Sequence, residues 1–306
     1  MREAEPQRLP VCLPAVANEL LSSWIGRHAA FHAVPPLVML RHCLPEVSSL
    51  QATDLHLNGD QEIRLANMFA TEPAVVRRMT STNVAQSSHR LIKHGPQDAL
   101  IFRGGEDKMS YRWSWDQLHS TISKLQQTFR AMGIGKGDRI SAMMPNMPET
   151  IACMLAAASI GAIWSSCSPD FGEQGVLDRF GQIEPGLFIT CDAYWYNGKL
   201  QDVSDKVRNV APKLGCPVMV VGYAGDAESL AASLADGRMM DAATVPFTAR
   251  PVEYEPLPFA HPLYILFSSG TTGVPKCIVH SAGGTLLQHL KEHRFHSGVG
   301  DGDRLF

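Results

Sequence analysis

Five short runs of apolar, β-prone residues constrain this chain more than any other feature: Arg139–Met144, Ala162–Ser165, Leu187–Cys191, Val218–Val221 and Leu263–Phe267. A strand with one face in water alternates apolar and polar side chains, and these runs do not alternate, which suits strands buried on both faces. Helical patterns separate them. Ser114-Trp-Asp-Gln117 reads as a capping box, after which Trp115, Leu118, Ile122, Leu125, Phe129 and Met132 recur at helical spacing until Gly133. A second helix is expected from Asn146 and Glu149, as cap residues, to Ile160, with Gly161 as its stop, and a third around Gln174–Gln182. Strands alternating with helices predict an α/β fold, a mostly parallel sheet flanked by helices. The glycines of Gly133-Ile-Gly-Lys-Gly137 follow a helix and precede a strand, so they form a connector and not a nucleotide loop.

The expected organisation has four parts. Residues 1–80 are an unassigned N-terminal extension, irregular in proline and histidine, with a short helix near Gln61–Ala70 and no site. Residues 81–221 make a first α/β subdomain, and 222–262 a connector with one helical turn near Leu230–Leu234. Residues 263–306 start a second α/β subdomain, with a helix over Thr285–His293 and a strand at Arg304–Phe306.

A formal net charge of −3 over 306 residues gives no field for nucleic acid or anionic lipid. The apolar stretch Ala152–Ile163 is too short to span a bilayer. Seven cysteines without C-x-x-C spacing argue for reduced thiols, and with them a cytosolic protein.

The run Leu263–Phe267 stops at seven small residues, Ser268 to Val274, followed by Pro275 and Lys276 and then by Cys277-Ile-Val279. Gly270 and Gly273 let the backbone turn N–H groups toward an anion, Ser268, Ser269, Thr271 and Thr272 add hydroxyl donors, and Lys276 adds a point charge. Such a loop suits a polyphosphate. It is not a Walker A loop, because the glycines stand three apart and a proline precedes the lysine. The bland alternative is a small-residue hairpin loop with a solvated lysine.

Ser268-Ser-Gly-Thr-Thr-Gly-Val-Pro-Lys276 resembles the phosphate-binding signature of the acyl-adenylate-forming enzymes. The segments Gly161–Gly172, Gly175–Phe180, Tyr196–Lys199, Lys276–Gly284 and Gln288–His293 are similar to the CoA ligases of that family that activate acetoacetate. The likeness runs from about Pro96 to the last residue, with a faint echo at Thr82–Gln86. It implies ATP, Mg²⁺ and CoA as reaction partners and acetoacetate as the acid. It implies that the backbone of Gly270–Gly273 and the hydroxyls of Thr271 and Thr272 meet the β- and γ-phosphates, with Ser268 and Ser269 beside them and Lys276 as the catalytic cation. It also implies that Asn197, Gly198 and Lys199 approach the nucleotide phosphates of CoA; turn chemistry alone explains Asn-Gly equally well, with Lys199 solvated. Family members continue past this sequence with their adenine, ribose and acyl pockets, so the 306 residues are expected to be a front portion, inactive alone. A truncated form with residual nucleotide binding, and a ligase for another short acid such as acetate, stay open.

Other patterns have plainer readings. His289-Leu-Lys-Glu-His293 matches a zinc-peptidase spacing but has little chain left to supply a third ligand. Ser168-Pro-Asp-Phe-Gly172 is a turn after a strand, with Asp170 expected to cap the next helix. His280 is expected to begin the helix after the phosphate loop, and Cys277, where many relatives carry glycine, to pack as a small buried residue.

Overall fold

The computed structural model describes residues 12, 21–47, 57–78, 95–105, 108–268, 273–300 and 302–305. They fall into two compact units, residues 1–92 with 257–259, and residues 93–256 with 260–306.

The described part of the first unit is helical: α1 (Leu21–Phe31), α2 (Pro36–Cys43), α3 (Gly59–Met68) and α4 (Pro73–Arg78). Pro36 opens α2, where a missing N–H costs nothing, and Asn58 caps α3 in a reciprocal box with Gln61. Leu21, Trp24, Ile25, Leu40, Leu65, Met68 and Phe69 form a buried core of their own. Buried His28 lies against the Trp24 and Phe69 rings, at centroid distances of 4.9 and 4.4 Å, and its Nδ1 meets the Trp24 carbonyl at 2.9 Å. Glu62, also buried, is held by Arg77, whose Nη2 stands 2.6 Å from Oε2. Thus a segment expected to contain one short helix carries a helical core.

The second unit opens with a hairpin of β1 (Asp98–Gly104) and β2 (Met109–Ser114). There follow α5 (Trp115–Ala131), β3 (Arg139–Met143), α6 (Pro148–Ser159), β4 (Ile163–Cys167), α7 (Glu173–Phe180) and β5 (Leu187–Cys191). A small antiparallel ribbon, β6 (Ala193–Tyr196) with β7 (Lys199–Asp202), comes next. After it run α8 (Ser204–Leu214), β8 (Val218–Val221), α9 (Ala227–Ala232), β9 (Gly237–Met239), α10 (Met240–Thr244), β10 (Pro262–Ser268), β11 (Lys276–Ser281) and α11 (Ala282–Lys291). Seven strands form one sheet in the order β11-β10-β4-β3-β5-β8-β9, parallel except where β11 pairs antiparallel with β10. The α/β expectation holds, and β10 and β11 join the same sheet as the earlier strands.

The centre is dry: every residue of β5 and β8 is buried. The β11 flank is not, since Lys276, Cys277, Ile278 and Val279 are all exposed in succession. Ser114 makes the expected capping box with Gln117. Three local expectations fail. Met147, with no side-chain cap, stands at the N-cap of α6 because Pro148 at N1 presets the first turn. Glu149 instead accepts the Tyr111 hydroxyl at 2.8 Å, and burial pushes its carboxyl up from the ordinary range. Described residues 302–305 form no strand. Within the expected connector, Glu253 donates its N–H to Gln126 Oε1 at 3.2 Å and Arg250 donates to Ser123 Oγ at 3.0 Å, so this stretch straps α5.

Candidate functional site

Strand β10 runs parallel to β4, pairing Tyr264 with Trp164, and Ser165 Oγ donates to the Ile265 carbonyl at 2.8 Å. Ser268 therefore ends its strand on the carboxyl edge of the sheet, where the turn after β4 also leaves and where open α/β sheets gather ligands. Across the hairpin Ser268 pairs with Lys276 and Phe267 with Cys277. The loop's two anchor residues are thus in register. Gly273 adopts φ 106°, and nothing lies within 4 Å of where a Cβ would stand. Conformation, not space, calls for glycine there. Ser269, Gly270, Thr271 and Thr272 lie outside the described residues. Of the expected phosphate contacts, the structure brings Ser268, Gly273 and Lys276 to one hairpin.

Pro275 is buried and Lys276 exposed. Among the described residues no carboxylate pairs with Lys276. Gln182, just past α7, donates Nε2 to the Pro275 carbonyl at 2.9 Å and accepts the Cys277 thiol on Oε1 at 3.6 Å. Cys277 is exposed, against the expectation of a packed thiol, because β11 is the outermost strand. His280 lies within β11, paired with Tyr264, and does not open a helix; Ser281 caps α11 instead, accepting from the Gly284 N–H.

The turn after β4 is held both from within and by two distant side chains. Ser168 Oγ donates to Asp170 Oδ2 at 2.8 Å, and a Tyr194 hydrogen bond, followed by that of Ser168, holds the Asp170 carboxyl below its ordinary range. Asp170 does not cap α7, whose N-cap is Gly172 with no side-chain bond. Lys206 Nζ fixes the turn through the Pro169 carbonyl at 2.7 Å.

Asn197 and Gly198 connect β6 to β7 with φ of 49° and 71°, the positive pair of a tight hairpin turn. Lys199 is exposed beside them. Lys108, which carries no motif, donates Nζ to the Gly198 carbonyl at 3.2 Å and lies 3.9 Å from the Trp195 ring centroid. At the root of this ribbon, buried Asp192 accepts four backbone N–H groups, from Ala193, Tyr223, Ala224 and Gly225, at 2.7–3.2 Å. It ties the end of β5 to the loop after β8. Gln182, Lys108 and Asp192 escaped the sequence because their partners lie roughly 30 to 95 residues away.

His289 ends up on α11 and His293 in a π-helical turn, Glu292–His296, with ring centroids 6.1 Å apart. Among the described residues no group of three His, Cys, Asp or Glu side chains could hold a metal ion. A cleft of about 550 Å³ lined by Arg208, Cys216 and Asp236 sits by Val218, the first residue of β8, at the opposite end of the sheet from the loop.

The profile of the AMP-binding enzymes matches residues 89–306. The chain belongs to the AMP-binding enzyme family. Its relatives include the acetoacetyl-coenzyme A synthetase of Rhizobium meliloti (strain 1021), 69% identical over 216 residues, covering 71% of this chain and 33% of the relative. The acetoacetyl-CoA synthetase of Macaca fascicularis is 42% identical over 229 residues, covering 71% and 34%. A malonamoyl-CoA synthetase of Penicillium aethiopicum is 41% identical over 208 residues, covering 63% and 28%. Among solved structures, acetoacetyl-CoA synthetase from Streptomyces lividans superposes with a TM-score of 0.63 at 39% identity, over 68% of this chain and 31% of that one. The chain spans about a third of the length of these relatives. A second profile, TniQ, matches residues 10–129 and overlaps the first from residue 89. No helix among the described residues is long and apolar enough to cross a membrane.

Proposed function

We propose that this chain carries the phosphate-binding part of a cytosolic, ATP-dependent acid–thiol ligase that makes acetoacetyl-CoA. A substrate carboxylate would attack the α-phosphate of Mg·ATP, forming an acyl-adenylate and releasing pyrophosphate. The CoA thiolate would then displace AMP. In the first step charge builds on the phosphate oxygens, and preorganised donors aimed at that charge hold the transition state more firmly than the ground state. Magnesium would arrive on the phosphates as part of the nucleotide, since hard cations prefer oxygen ligands.

One observation carries this reading: a Ser/Thr/Gly loop closed by Lys276, which pairs with no carboxylate among the described residues, at the carboxyl edge of a parallel sheet, with Ser268 and Lys276 in register across its base. Ser269, Gly270, Thr271 and Thr272 are assigned to the phosphates with Ser268 and Gly273, and Lys276 is the neutralising cation. Asn197, Gly198 and Lys199 are assigned to CoA, with Lys108 as a second cation at the same turn. The 69% identity to an acetoacetyl-coenzyme A synthetase favours acetoacetate. A second acid remains in view because a relative named for malonamoyl-CoA is 41% identical over much of the same stretch. Incubation of a full-length form with ATP, Mg²⁺, hydroxylamine and acetoacetate, acetate or malonamate tests both. Acid-dependent pyrophosphate with acetoacetate preferred is expected; pyrophosphate with no acid requirement would contradict a ligase.

A further inference from the structure

We propose that Gln182 is a positioning residue for Lys276, bracing from behind the strand that presents the cation to the phosphates. The inference rests on the phosphate reading above and adds a residue to it.

The side chain of Gln182 reaches both neighbours of Lys276. Its Nε2 donates to the Pro275 carbonyl, and its Oε1 accepts the Cys277 thiol, across 93 and 95 residues of sequence. Nε2 also donates to the Asp178 carbonyl in α7, anchoring the amide to a helix. Two carbonyl oxygens therefore face the NH₂ group and one thiol faces the oxygen. Rotating the amide by half a turn would set Oε1 against both carbonyls, so its orientation is fixed by donor and acceptor count.

The brace acts where the strand has least other support. Proline has no N–H, so the carbonyl is the only backbone hydrogen-bonding group Pro275 possesses. On its far side β11 has no partner strand among the described residues, and Ile278 and Val279 are 45% and 58% exposed. The backbone of Lys276 is thus fixed by β10, through the Ser268 pairing, and by Gln182. Side chains alternate along a strand, so Lys276 leaves the face opposite Cys277 and the glutamine does not occupy the cation's own space. A lysine is a point charge on a flexible stem, and its value at a phosphate depends on where its Cα is held; a misplacement of about 1 Å can cost about a hundred-fold in rate.

The test is a double-mutant cycle on the intact chain, with Mg·ATP affinity read by calorimetry for wild type, Gln182→Leu, Lys276→Ala and the double variant. Gln182→Leu keeps bulk and removes all three hydrogen bonds. We expect it to weaken Mg·ATP about tenfold in the wild-type background and not at all in the Lys276→Ala background, because a residue acting through the lysine has nothing left to position. Equal losses in both backgrounds, or no loss in either, overturn the inference and leave the phosphate reading standing. Undiminished binding by Lys276→Ala, or none by wild type, overturns both. Alkylation of Cys277, followed by peptide mapping, should accelerate several-fold in Gln182→Leu, and an unchanged rate contradicts the brace. Should Gln182→Leu fail to fold, Gln182→Met takes its place in the cycle.

Discussion

Two hairpins in the α/β unit begin their second strand with a lysine, Lys199 in β7 and Lys276 in β11, and they are built by opposite means. The first closes in two residues, and the positive φ of Asn197 and Gly198 accounts for every residue of the turn. Its ribbon stands apart from the main sheet and is rooted on the four N–H groups that Asp192 accepts. The second joins strands of the main sheet through residues 269–275, more chain than a turn needs, filled with hydroxyls and glycines. A lysine beside a turn that its neighbours fully explain says little about ligands. One that closes a loop richer in donors than the turn requires says much more.

Five substitutions can break or sharpen that contrast. The largest effect is expected from Lys276→Ala. In a full-length form, removing one preorganised electrostatic group should lower acetoacetate-dependent pyrophosphate exchange by about a hundred- to a thousand-fold, or about 2.7–4 kcal/mol; ordinary exchange would remove the lysine from the mechanism. Asp192→Asn comes next and acts on stability. An amide cannot accept on both of its heads, so the Gly225 N–H, now 2.9 Å from Oδ2, would meet either a second donor or no partner. A cost of about 2–3 kcal/mol is expected, seen as a melting transition lowered by roughly 4–10 °C, with little change in the affinity of protein that remains folded. An unmoved transition would mean that the ribbon does not depend on this root.

Gly273→Ala and Gly198→Ala form a matched pair. Both glycines have positive φ, at 106° and 71°, so an alanine strains either backbone by about 1–2 kcal/mol. Only Gly273→Ala should weaken Mg·ATP, by about tenfold in a calorimetric titration. Equal losses from the two would dissolve the distinction between the hairpins. The smallest effect belongs to Lys199→Ala: an exposed charge is worth up to about 1 kcal/mol, so CoA affinity should fall about two- to fivefold with Mg·ATP unchanged. No change in CoA affinity returns Lys199 to a solvated turn.

The same contrast governs what the sequence made legible. Strands β5 and β8 could be bounded to the residue, because burial on both faces leaves nearly continuous apolar runs that end sharply at Gly186, Asp192, Pro217 and Gly222. The Ser114 capping box and the Asn197-Gly198 turn were equally plain, since each is complete within four residues. Strand β11 was harder. Its apolar side chains suggested burial, and only its place at the end of the strand order reveals that Cys277 and Val279 face outward. The β1–β2 hairpin escaped notice because Arg103, Arg112 and other polar residues interrupt its apolar positions. In the helical unit, a core assembled from Trp24, His28, Leu40 and Phe69 draws on residues spread over forty-five positions, with prolines breaking the period between them. The proposed phosphate role could be drawn from the loop's own residues, whereas its supports could not: Gln182 and Asp192 become meaningful only when distant backbone arrives beside them.

The most direct measurement is phosphorus NMR of Mg·ATP titrated with the intact chain and with Lys276→Ala. The account predicts that the β- and γ-phosphate resonances shift and broaden with wild type and stay at their free positions with the variant. Unperturbed β and γ signals with wild type, or equal perturbation by both proteins, would contradict it.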